Sequence, residues 1–82
     1  MKRSPLLERI TLNPEICHGK PTIRNMRYMV TAMLDYLAGG DTIEDLVEEF
    51  EGLEPEDLLA CIAYANEMLK VGQNRVVYSF AS

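Results

Sequence analysis

Residues 30–70 read VTAMLDYLAGGDTIEDLVEEFEGLEPEDLLACIAYANEMLK, and the spacing of their apolar positions decides the fold class. Val30, Met33, Leu34 and Leu37 recur at i, i+3, i+4 and i+7, the interval that gathers side chains on one face of a helix. Thr31 is expected to cap the first turn of that helix, and Gly39-Gly40 to stop it. Thr42 followed three residues later by Asp45 resembles a capping box with Asp in place of Glu, and it precedes a second stripe of Ile43, Leu46, Val47 and Phe50. The opposite face of this helix is Glu44, Asp45, Glu48 and Glu49, and Gly52 ends it. Pro55 sits at the first position of a third helix, with Glu56 and Asp57 suiting the positive end of its dipole, and the helix is expected to run to about Lys70. This last helix is apolar over an unusual width. Leu58, Cys61, Ile62, Ala65 and Leu69 form one stripe, with Leu59, Ala63 and Tyr64 outside it. Either it is the central helix of the domain or part of it awaits another chain.

Upstream, Arg9 to Leu12 (RITL) is a short β-compatible run closed by the turn pair Asn13-Pro14. A polar loop, Glu15 to Pro21, leads to Thr22-Ile23 and then to Arg27–Val30. That order predicts a second short pairing with a turn near Asn25, a residue type that tolerates a left-handed backbone. Downstream of Gly72, Arg75-Val76-Val77-Tyr78-Ser79-Phe80 has the β-branched and aromatic content of a strand that adds to an exposed sheet edge. The expected architecture is therefore a mainly α single domain, 1–82: a β-ribbon and basic loop over 9–30, a three-helix unit over 31–70 and a tail over 71–82.

With 82 residues the chain can bury only roughly 60% of its unfolded surface, which permits one thin core and no deep cofactor cavity. No apolar run approaches the ~18 residues of a membrane span, and Pro5, Glu8 and Arg9 interrupt any signal-peptide core, so a cytoplasmic chain is expected. Cys17 and Cys61 are too few for a disulfide framework, and His18 is the one histidine. No metal site, cofactor, small-molecule substrate or catalytic set is expected from such an inventory. The net charge of −5 conceals a division: residues 1–30 carry a surplus of +4 and residues 31–82 one of −9. The front can meet phosphate or a carboxylate cluster, whereas the acidic remainder repels nucleic acid.

The ordered set Asn13-Pro14, His18-Gly19-Lys20-Pro21-Thr22-Ile23-Arg24, Arg27, the Gly40 turn and the leucine-acid-tyrosine pattern of the last helix closely resembles the domain-of-unknown-function 433 family over residues 9 to 65. Members are small bacterial and archaeal proteins regarded as antitoxins of type II toxin–antitoxin pairs. The resemblance implies a homeodomain-like helix-turn-helix bundle after a short β element, and a PIN-like ribonuclease toxin as partner. Asn25-Met26 stands where many members have Gly-Thr, which bears on the turn, and Glu54 stands where Thr or Ser often caps the third helix, which weakens that cap.

The chemically richest block is His18, Gly19, Lys20 and Pro21 with Arg24 and Arg27. One reading is a rigid loop presenting cations outward; the other is a turn whose basic residues pair with the chain's own acidic helices, Arg27 foremost. The functional expectation is an antitoxin-like protein that silences its toxin by inserting a guanidinium among the nuclease carboxylates, with Arg24, Arg27 and Arg75 as candidates and Tyr78 and Phe80 as apolar anchors. The alternative is a DNA-binding regulator of its own operon that uses the front ribbon through Lys20, Arg24 and Arg27. The third helix is a poor DNA reader, because Glu54, Glu56 and Asp57 open it and no cation appears before Lys70. A homo-oligomer is expected from the width of its apolar surface.

Overall fold

Ile10–Thr11 (β1) and Thr22–Ile23 (β2) pair antiparallel, with Ile10 opposite Ile23 and Thr11 opposite Thr22, in a computed structural model that describes residues 5–72. A bridge from Thr22 to Met29 adds the second pairing expected from the sequence. The chain turns between them through Arg24 (φ 43°) and Asn25 (φ 59°), closed by the Met26 N–H donating to the Ile23 carbonyl at 2.7 Å. Ahead of β1 lies a 3-10 turn, Pro5–Arg9, which the sequence reading did not anticipate. It packs mainly against the last helix and buries Leu7.

Three helices follow: Val30–Ala38 (α1), Ile43–Glu49 (α2) and Pro55–Gly72 (α3). The protein is thus mainly helical, with a two-stranded sheet near its N-terminus. Thr31 does not cap α1. Met29 holds the cap position without a side-chain bond, and the Val30 N–H instead donates to the Pro21 carbonyl at 3.0 Å, so the ribbon itself satisfies the helix start. The α2 capping box is complete: the Asp45 N–H donates to Thr42 Oγ1 (3.1 Å) and the Thr42 N–H to Asp45 Oδ2 (2.9 Å). Gly52, at φ +90°, makes the turn into α3.

Ile23, Val30, Met33, Leu46, Leu53, Leu58 and Cys61 form the core, drawn from β2, all three helices and the α2–α3 turn. Each large side chain in it contributes about 1.5–3 kcal/mol by leaving water. Phe50 extends the core with ring contacts to Tyr28 (5.5 Å) and Tyr36 (5.4 Å). The α3 stripe expected from the sequence divides in two. Leu58 and Cys61 are buried with Asp57 and Ala60, but Ile62 and Leu69 are exposed, while Tyr64, placed outside the stripe, packs on the core. Val71 and Gly72, read as the start of the tail, complete α3. The expected tail strand with Arg75, Tyr78 and Phe80 lies outside the described residues. Among the described residues no helix is long and apolar enough to cross a membrane.

Candidate functional site

Asp57 is the one fully buried acid among the described residues, and four hydrogen bonds surround its carboxylate. Oδ1 accepts from Arg24 Nε (3.0 Å) and Arg9 NH1 (3.0 Å); Oδ2 accepts from Arg24 NH2 (2.7 Å) and the Glu54 N–H (2.8 Å). The last bond is half of a capping box, because Asp57 stands three residues after Glu54, whose carbonyl accepts the Asp57 N–H at 2.9 Å. The other half, a residue-54 side chain accepting from the helix, is not made: the Glu54 carboxylate accepts from Arg9 NH1 at 2.8 Å, and the Asp57 side chain alone contributes to the cap.

Burial by itself would push the Asp57 carboxyl up. The Arg24 guanidinium, the Glu54 N–H and Arg9 outweigh that, and the group is held below the usual carboxylate range. Arg9 is raised above its ordinary value, chiefly by its bond to Glu54, and Arg24 chiefly by its bond to Asp57. Arg24 also donates through NH2 to the Gly52 carbonyl at 2.7 Å. A carboxylate offers about four acceptor directions, and all four are taken here, so Asp57 has none left for a substrate proton. The cluster locks the 3-10 turn, the hairpin tip and the start of α3 together. Tyr28 fastens the hairpin a second time, its hydroxyl donating to the Glu51 carbonyl at 2.8 Å.

Of the basic residues singled out from the sequence, Arg24 is therefore paired with Asp57, and Lys20 and Arg27 are not. All three are exposed, but neither the Lys20 nor the Arg27 side chain has a partner among the described residues. Internal pairing does occur, as one of the two readings had it, but through Arg9 and Arg24 rather than Arg27. Arg9 went unnoticed because its partners lie 45 and 48 residues away and no local pattern marks them. The loop before Lys20 turns through Cys17 (φ 51°), His18 (φ 58°) and Gly19 (φ 82°) and lies beside the hairpin, with Cys17 Sγ 3.9 Å from the Arg27 carbonyl. No group of three or more His, Cys, Asp or Glu among the described residues is placed to hold a metal ion. Burial, with the Asp57 charge nearby, pushes the Cys61 thiol up to about 12.

The other outward feature is apolar. Along α3, Leu59, Ile62, Met68, Leu69 and Val71 are 44–70% exposed, an amount that no core contact accounts for. Ala65 and Leu69 stand between two clefts, one lined by Leu6, Leu59 and Ile62, the other by Pro21, Leu34 and Met68.

Fold and site together define a small module of a β-ribbon and three helices, pinned by a buried aspartate, with exposed cations that have no side-chain partner among the described residues and an apolar helix side. Residues 10–65 match the model of the family described as "Protein of unknown function (DUF433)", and the chain belongs to that family. A solved structure, the crystal structure of a DUF433 member protein from Anabaena variabilis ATCC 29413, is similar at 29% identity with a TM-score of 0.69. The match covers 80% of this chain and 65% of that one, so this chain spans about two-thirds of its relative's length. No curated protein matches the chain.

Proposed function

We propose that the protein is an antitoxin-like interaction protein of the cytoplasm that binds and neutralises a PIN-like ribonuclease toxin. One observation carries this reading: Arg27 stands exposed and without a side-chain partner among the described residues, whereas Arg9 and Arg24 are consumed by Asp57 and Glu54. A metal-dependent nuclease gathers carboxylates around a divalent ion. A guanidinium brought among them replaces part of the metal's charge and makes paired bonds to oxygen. The acidic face of α2 is repelled from such a site, which leaves the front edge with Arg27 and the segment bearing Arg75, Tyr78 and Phe80 to make the contact. Arg24 supports the edge from behind.

Co-expression with the product of the adjacent gene, assayed for ribonuclease activity, tests the reading. The expected result is a stable complex with silenced nuclease, in which Arg27→Ala restores cleavage while leaving the complex detectable. Inhibition unchanged by Arg27→Ala and by removal of residues 75–82 would discard the mechanism.

A second reading, a regulator of its own operon, is favoured by Lys20 and Arg27 both being exposed and without a side-chain partner among the described residues. In it the three helices form a homeodomain-like helix-turn-helix unit, but the ribbon touches DNA, because Glu54, Glu56 and Asp57 at the start of α3 oppose phosphate. Duplex binding should then weaken steeply with salt and disappear in Lys20→Ala with Arg27→Ala. Loss of binding on α3 substitutions alone would reverse the assignment.

A further inference from the structure

We infer that the outer side of α3 is a self-association face, on which a second copy of this chain packs its own α3 antiparallel to the first. This goes beyond the functional proposal and does not rest on it. The 18 residues of α3 make a rod about 27 Å long, against about 14 Å for the 9 residues of α1 beside it, so its second half extends past the core. Ile62, Ala65 and Leu69 follow one another at intervals of three and four, the seam spacing by which one helix packs along another. They are half-buried or exposed on their own fold, with Leu69 69% accessible.

Three features select a second copy as the occupant. The first is charge. In a chain of net charge −5, this seam carries no ionised side chain: Glu67, two residues from both Ala65 and Leu69, lies on the far side of the helix, and Lys70 on its flank pairs with Glu67 at 3.4 Å. Two acidic molecules can bring this strip together without like-charge repulsion. The second is shape. A two-fold contact demands a patch complementary to itself, and this one offers a ridge, Ala65 and Leu69, with a cleft on each side to receive the same ridge from another copy.

The third is register. A two-fold axis crossing between Ala65 and Asn66 sets Ile62 of each copy against Leu69 of the other and brings the small Ala65 to the crossing point, where the helices must come closest. The overhanging end of one helix then covers the cleft of Leu6, Leu59 and Ile62 on its mate. A contact along one side of a single helix is a small interface, so association that reverses on dilution is expected.

Light scattering and sedimentation on the full chain, in the absence of any nuclease, provide the test. The wild type should be a dimer at high micromolar concentration and dissociate on dilution. Ile62→Lys and Leu69→Glu, both at exposed positions, should each be monomeric with an unchanged helical circular dichroism signal and cooperative melt. The double variant should recover the dimer, because the antiparallel register faces each new lysine with a new glutamate. Arg27→Ala should dimerise as the wild type does, which separates this inference from the toxin-silencing proposal. A wild type that stays monomeric, or one that covers the seam only when a nuclease is added, overturns it. A double variant that stays monomeric overturns the antiparallel register.

Discussion

Asp57 is the acceptor for two guanidiniums and one backbone N–H, and its replacement takes a partner from all three. Losing one partner of a buried ionic cluster typically costs ~3–5 kcal/mol. Here Arg9 and Arg24 keep 29% and 36% of their side chains in water and rehydrate, which sets the expectation for Asp57→Ala at the low end, about 3 kcal/mol. For a domain of this size that corresponds to a fall in Tm of roughly 12–24 °C, readable in a thermal melt. An unchanged melt would show that the cluster is ornamental. The acid dependence follows from the depressed Asp57 group. Between its lowered folded value and the ordinary carboxylate value near pH 4, the unfolded chain binds the proton and the folded one does not. The stabilisation is therefore complete above about pH 4 and is lost as pH falls through the folded value. Asp57→Asn should show a flatter loss of stability with acid than the wild type in urea titrations at stepped pH. Arg24 adds a further constraint: it holds a left-handed backbone, costly for an arginine, at the point where its side chain reaches Asp57 and the Gly52 carbonyl.

At the scale of elements, two threonines that look alike in the sequence have different fates. Thr42 accepts from Asp45 and completes a capping box; Thr31 stands inside the first turn of α1, whose start is satisfied by Pro21. Thr42→Ala should cost ~1 kcal/mol and Thr31→Ala should fall within about 0.5 kcal/mol of the wild type, as measured by chemical denaturation. Equal costs would mean that the caps were assigned wrongly. Helix existence was legible because periodicity, glycine stops and the proline at position 55 are local signals. Which side of α3 meets the core was not. Two overlapping apolar stripes run along that helix, and only the positions of α1 and the 3-10 turn choose between them.

For the whole molecule, Cys61 reports on global opening. Its side chain is fully buried in the core and its thiol is pushed up to about 12, so it is doubly protected from thiolate chemistry. Cys17 lies in a surface loop at intermediate exposure. A disulfide exchange reagent should modify Cys17 readily in the native protein and reach Cys61 only at the rate of unfolding, with both reacting in denaturant. Rapid native labelling of Cys61 would contradict the packing of the core.

The sequence by itself determined the three helices, their stops, the α2 cap, the hairpin turn at Asn25 and the division of charge between front and back. All of these depend on neighbours within a few residues, where spacing and backbone preference act directly. Only the tertiary structure decided which cations are paired within the fold. Arg9, Arg24 and Arg27 are indistinguishable as letters, and Arg27 looked the best candidate for an internal pair. What separates them is that the hairpin tip and the 3-10 turn meet the start of α3 at one buried carboxylate, which two guanidiniums fill and a third cannot enter. Burying a charge demands compensation wherever the chain happens to bring it, and partners 33 to 48 residues apart are chosen by packing rather than by any pattern along the chain.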